Sequence, residues 1–137
     1  MTWEHFAHGA DIGVRGVGGT PADAFAEAAV ALTAVLVDPN SVDPREAVTI
    51  RCSAPDDEQL IVDWLNALVF EMATRRMLFA RFDVRKDDHA LVATAWGEPL
   101  DRARHRPAVE VKAATYTDVR VRRRDDDSWV AQCVVDV

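Results

Sequence analysis

Cysteine is scarce in this chain: Cys52 and Cys133 stand alone, far apart and without a CxxC companion. That excludes a disulfide framework and a zinc knuckle, which need paired or clustered thiols, and leaves buried, reduced thiols as the expectation. Positive charge is short as well. Sixteen Lys and Arg face 23 Asp and Glu, a formal net charge of −7. Its average field repels anionic surfaces and so argues against non-specific binding to nucleic acid or lipid. Any RNA would be reached locally or through a partner. No stretch approaches the roughly 18 uninterrupted apolar residues of a membrane span. The opening Met1-Thr2-Trp3-Glu4-His5 has no basic segment followed by an apolar run, so a cytoplasmic protein is expected.

The usual catalytic signatures are missing too. There is no GxSxG elbow, and Ser41, Ser53 and Ser128 have no histidine nearby in sequence, which argues against serine hydrolase chemistry. Gly13-Val14-Arg15-Gly16-Val17-Gly18-Gly19 precedes a helix signal but lacks the Lys-Ser/Thr ending of a phosphate-cradling loop. Strand curvature and a tight strand-to-helix turn explain it better. His5 and His8 are at odd spacing on an expected strand and point to opposite faces, which is wrong for a zinc pair. The basic runs Arg102–Arg106 and Arg120–Arg124 could meet phosphates, but a triple aspartate follows the second, as in a solvated hairpin tip.

What is present is an ordinary globular composition, 49% apolar and 28% charged over 137 residues. This fits one domain, residues 1–137, with its own core. Trp3–His8 and Ile12–Val17 read as strands around Gly9-Ala10-Asp11. Thr20-Pro21-Ala22-Asp23 supplies an N-cap, a proline at the first helical position and an early acid. Phe25, Ala28, Ala29, Leu32, Val35 and Leu36 then recur at helical spacing until Asp38-Pro39 stops the run. The alanines should let this helix lie close against a sheet.

Val48–Ala54 alternates as a strand. Asp56 opens a second helix, with Gln59 placed to close a capping box, and Leu60, Ile61, Trp64, Leu65, Leu68 and Met72 form its buried stripe. Phe79–Arg85, Ala90–Trp96, Val109–Thr115, Asp118–Arg123 and Trp129–Val135 have β-type composition between turn signals. No repeat or low-complexity tract interrupts them. The expectation is an α+β domain, mainly antiparallel or mixed sheet with two helices against it.

Two acids stand out. Asp11 follows a glycine that permits a sharp turn and is flanked by Ala10 and Ile12; Asp136 lies between valines in a closing strand. If that strand pairs beside the first, Asp11, Asp136 and the carboxylate or carbonyl of Val137 offer hard oxygens suited to Ca²⁺, Mg²⁺ or Mn²⁺ rather than zinc. The alternative is that each aspartate caps a turn or stays solvated.

His8-Gly9-Ala10-Asp11-Ile12-Gly13, Val62-Asp63-Trp64-Leu65-Asn66, Glu110-Val111-Lys112-Ala113-Ala114-Thr115-Tyr116 and the closing Asp136-Val137 resemble the archease family. The likeness runs along nearly the whole chain and includes an expected turn at Gly97-Glu98 and the Asp101–His105 stretch. It implies an accessory protein, not an enzyme in its own right, that serves an RNA-splicing ligase in tRNA splicing and RNA repair. Such a protein promotes guanylylation of the ligase and its multiple turnover. It also implies a divalent-metal site at Asp11, Asp136 and Val137, holding Ca²⁺ in a crystal and Mg²⁺ or Mn²⁺ in the cell. His8, Asp63, Glu110 and Lys112 match strongly typed positions as partner or site-support residues, with fold-specifying hydrogen bonds or surface ion pairs as the alternative. Gly9 stands where the motif usually has threonine, and Thr117 where many relatives carry histidine. The competing readings are a chaperone-like modulator of tRNA-modifying enzymes such as a tRNA methyltransferase, and a stand-alone metal-dependent phosphoesterase.

Overall fold

Gly9 reverses the chain as its sequence position predicts. It sits at φ +59°, where a side chain is strained, between β1 (Thr2–His8) and β2 (Asp11–Gly18). The two strands form an antiparallel hairpin in register from Thr2↔Val17 to His8↔Asp11. All of residues 1–137 are described in this structure, a computed structural model.

Helix α1 (Pro21–Leu36) starts at the expected cap: Thr20 Oγ1 accepts the Asp23 N–H at 3.1 Å and Pro21 occupies the first turn. After β3 (Glu46–Ser53), helix α2 (Asp57–Arg75) starts where Asp56 Oδ1 accepts the Gln59 N–H at 2.8 Å. Only this half of the expected capping box forms. β4 (Met77–Asp87) and β5 (Ala90–Pro99) follow, then the short helix α3 (Arg102–His105), β6 (Ala113–Ala114), β7 (Arg120–Arg123) and β8 (Trp129–Asp136). No helix is long and apolar enough to cross a membrane.

The strands form two antiparallel sheets: β1-β2-β8-β6, with β7 also paired to β8, and β3-β5-β4. Helix α1 joins them. It packs on β2 and β8 of the first sheet and β4 of the second, and Thr33, wholly buried, donates its hydroxyl to the Phe79 carbonyl of β4. Trp64 of α2 is also wholly buried and donates Nε1–H to the Phe25 carbonyl of α1 at 3.0 Å. One core of apolar side chains, including Val14, Phe25, Leu32, Trp64, Phe79 and Val135, lies among these elements.

Three local expectations differ from the fold. The glycine-rich run lies mostly within β2 and forms no cradle: a Cβ on Gly16 would come 2.0 Å from the Ala24 carbonyl oxygen of α1 and 2.3 Å from the Ala28 nitrogen. Close helix–strand approach, rather than strand curvature, is the reason for glycine there. Gly97-Glu98 is no turn but part of β5, paired with Phe79 and Leu78. The expected strand Val109–Thr115 pairs only over Ala113–Ala114, because residues 107–111 are drawn toward α1, where the Leu36 carbonyl accepts the Ala108 N–H. The second basic run is indeed a hairpin tip: Asp126 accepts from Ser128, and Asp127 pairs with Arg123 at 3.0 Å.

Glu98 explains why β5 extends so far. Its carboxylate is almost completely buried and accepts from Arg104 of α3, the Asp43 N–H at 2.7 Å and His105 Nε2 at 3.0 Å. The Asp101 N–H donates to His105 Nδ1 at 2.9 Å, so the ring proton belongs on Nε2, facing Glu98. Arg104 first, then the Asp43 amide and His105, hold the Glu98 carboxyl down at about 2.

Two outcomes follow from this packing. Gly16→Ala should lower stability by about 1–3 kcal/mol through overpacking, whereas Gly19→Ala, whose nearest new contact is 3.9 Å away, should stay within about 0.5 kcal/mol; paired thermal melts decide it. Because the folded pKa of Glu98 lies below its ordinary 4.5, its contribution is present above that value and is lost as pH falls toward about 2. Glu98→Gln should flatten that part of the acid-unfolding curve while lowering stability at neutral pH.

Candidate metal centre

Antiparallel pairing places the two singled-out acids together. The β2–β8 ladder closes on Ile12↔Val135, so the next rung sets Asp11 opposite Asp136, with both side chains on the same sheet face. His8 pairs with Asp11 across the other side of β2. The row His8, Asp11, Asp136 thus runs across three strands at one end of the sheet. Asp136 is exposed and Asp11 half-buried. Neither carboxylate forms an ion pair with any base of the chain. Like charges directly opposite on neighbouring strands repel, and no base of the chain lies within ion-pair distance of either.

Lys112 reaches this end through its main chain: its N–H donates to the Asp136 carbonyl at 2.8 Å, and its side chain is exposed. Val137 follows directly and is half-buried. The other two support candidates have different surroundings. Glu110 lines an apolar groove with Arg76 and Arg102. Asp63 is exposed on α2; its carbonyl lies 4.0 Å from Cys52 Sγ, and its charge adds to the burial that pushes the Cys52 thiol up to about 11. Burial pushes Cys133 up to about 12. Both thiols are poor nucleophiles at neutral pH, although Cys52 is only half-buried.

Asn66 positions this end of the sheet, although its sequence setting does not single it out as a site residue. Its side-chain amide donates to the Ala114 carbonyl at 3.1 Å and accepts the Ala114 N–H at 2.8 Å. This two-point clamp ties β6 to α2 on the side away from β8, next to Ala113, which pairs with Asp136. Thr115 continues the attachment, donating both its N–H and its hydroxyl to the Val134 carbonyl. The Val62–Asn66 motif was the only sequence signal, and its spacing could not reveal a partner 48 residues away.

The donor chemistry fits a hard divalent cation: two carboxylate groups on neighbouring strands at a sheet end, without an internal cation. No three His, Cys, Asp or Glu side chains gather to hold a metal by themselves. A cation here would therefore take further oxygens from the main chain, water or another molecule.

This arrangement can be set beside known proteins. The Archease protein family (MTH1598/TM1083) matches residues 3–137. The chain belongs to the archease family. It is 40% identical over 139 residues to protein archease of Thermococcus gammatolerans, covering 98% of each chain, and 38% identical over 141 residues to that of Methanopyrus kandleri, covering 100% of each. Among solved structures, Methanobacterium thermoautotrophicum protein 1598 superposes with a TM-score of 0.84 at 30% identity, covering 98% of each chain. An archease from Thermotoga maritima, described as a possible chaperone, superposes with a TM-score of 0.61 at 18% identity, covering 98% of this chain and 96% of that one. The latter likeness supports the archease fold alone.

Asn66→Ala should leave the Ala114 N–H and carbonyl without their side-chain partner, at a cost of about 1–3 kcal/mol. Hydrogen exchange at the Ala114 amide should accelerate more than exchange in β2. Unchanged protection at Ala114 would show that the clamp does not hold β6.

Proposed function

We propose that this archease is an accessory protein that activates an RNA-splicing ligase in tRNA splicing and RNA repair, promoting its guanylylation and repeated turnover. The observation that carries the reading is the pair Asp11 and Asp136, set side by side by strand register and left without an internal cation in a chain of this family. Asp11, Asp136 and Val137 would hold the divalent ion, Mg²⁺ or Mn²⁺ in the cell and Ca²⁺ in a crystal. When bound, such an ion neutralises charge on phosphoryl oxygens. The sparse donor set suits a site completed by another molecule's oxygens, as expected where one protein assists phosphoryl chemistry on another.

The chain's own residues orient that site. Asn66 and Thr115 fix the segment that carries Lys112, whose main chain is tied to Asp136. Its side chain is exposed at the same end, where it can meet an anionic group of the partner. The net charge of −7 suits a basic, RNA-binding partner, with RNA approached only through it.

A second reading, a chaperone-like modulator of a tRNA-modifying enzyme such as a methyltransferase, draws on the description of the Thermotoga relative. Recovery of a methyltransferase and no ligase in a pull-down would favour it. Phosphoester hydrolysis by the protein alone, lost in Asp11→Ala, would instead make it an enzyme.

Multiple-turnover ligation with the cognate ligase should rise several-fold on adding this protein, and Asp11→Ala or Asp136→Ala should abolish the rise. Calorimetric titration with Mn²⁺ or Ca²⁺ should give a binding isotherm that both variants lose. Full stimulation by the Asp11→Ala, Asp136→Ala double variant would end the metal mechanism.

A further inference from the structure

The segment that fails to form its expected strand leaves an open groove. Residues 107–111 cross from the end of α1, where Leu36 accepts the Ala108 N–H, to the end of β8, where Asp136 accepts the Lys112 N–H. They line a cavity of about 860 Å³ together with the last turns of α2, the start of β4 and Leu100. Ten of its fourteen lining residues are apolar, and the only charged ones are Arg76, Arg102 and Glu110.

The charges are informative. All three side chains are exposed, and none takes part in an ion pair. In a chain with 23 acids to 16 bases, two free guanidiniums against the one carboxylate of Glu110 leave this groove with a positive excess on an acidic molecule. Arginine presents a planar fork that matches a carboxylate with two parallel hydrogen bonds.

Apolar exposure points to the same place. Phe70 is 63% exposed and Val109 41%. Val109 lines the groove, and Phe70 lies one helical turn from its lining residue Ala73. Phe70 itself is outside the lining, but an apolar concave surface with an exposed apolar side chain on the neighbouring helix turn marks a contact site.

We propose that this groove seats an acidic, apolar peptide segment of the partner protein, its apolar side chains filling the cavity and its carboxylates pairing with Arg76 and Arg102. A nucleic-acid strand fits less well, because no aromatic residue lines the cavity and the single Phe70 outside that lining gives no platform on which successive bases could stack. The inference rests on the accessory reading and extends it. Residues 107–111 run directly into Lys112, so a partner held in the groove is also held beside Asp11 and Asp136.

Selection from a random twelve-residue peptide display library should enrich apolar peptides bearing Asp or Glu. Fluorescence anisotropy with the best of them should show affinity falling at least tenfold in the Arg76→Glu, Arg102→Glu double variant and in Phe70→Asp. Asp11→Ala should bind as wild type does. Arg76, Arg102 and Phe70 are all exposed, and circular dichroism melts verify that the variants fold. Enrichment of neutral or basic peptides, failure to enrich any, or unchanged affinity in the double variant overturns the proposal.

A parallel ligation assay separates the two claims. Stimulation by the double variant at an unchanged half-maximal concentration removes the groove and leaves the accessory function. Acidic-peptide binding that the double variant loses, with no stimulation of the ligase by wild type, removes the ligase and leaves the groove.

Discussion

Helix α1 lies on β2 backbone to backbone at Gly16, with less than a methyl group of space between them. Much of the fold depends on this contact. A strand held that closely cannot shift without moving the helix, and β2 is the strand that begins with Asp11 and pairs with both β1 and β8. The same helix reaches the second sheet through Thr33 and Phe79. Helix α1 therefore both holds the strand that carries Asp11 and links the two sheets.

Two kinds of carboxylate appear in the molecule, and their treatment differs. Glu98 is buried, and the chain supplies a guanidinium, a main-chain amide and an imidazole to satisfy it. Such an acid is part of the scaffold: it binds α3 and the Asp43 loop to the end of β5. Asp11 and Asp136 receive no comparable partners although they face each other. The contrast is physical, since a buried charge must be compensated within the fold while charges at a wet sheet end can wait for an external cation.

The local features of the fold were legible in the sequence. The Gly9 turn, the Thr20 and Asp56 caps and the apolar stripes of both helices depend on neighbours within a few residues, and each appears where its residues place it. The failures involve distant partners. Val109–Thr115 has strand composition, but Leu36 and Asn66 compete for its backbone from elsewhere. Gly97-Glu98 has the look of a turn because glycine and an acid often mark one, yet Glu98 is drawn inward by Arg104 and His105. At the candidate site, the acids could be singled out from their setting. Their adjacency needed the pairing of β8 with β2, more than a hundred residues apart, and Glu110 and Asp63 belong to other surroundings.

The Asn66 amide has a consequence for how the molecule behaves at high concentration. β6 and β7 form one border of the five-stranded sheet, and a border strand with free donors and acceptors is a template for pairing with another chain. At Ala114 a side chain already occupies the positions a neighbouring strand would take. The amide ends the sheet at β6, so that this stretch of the border offers no template to another chain, while the carboxylate end of β2 and β8 remains open to solvent.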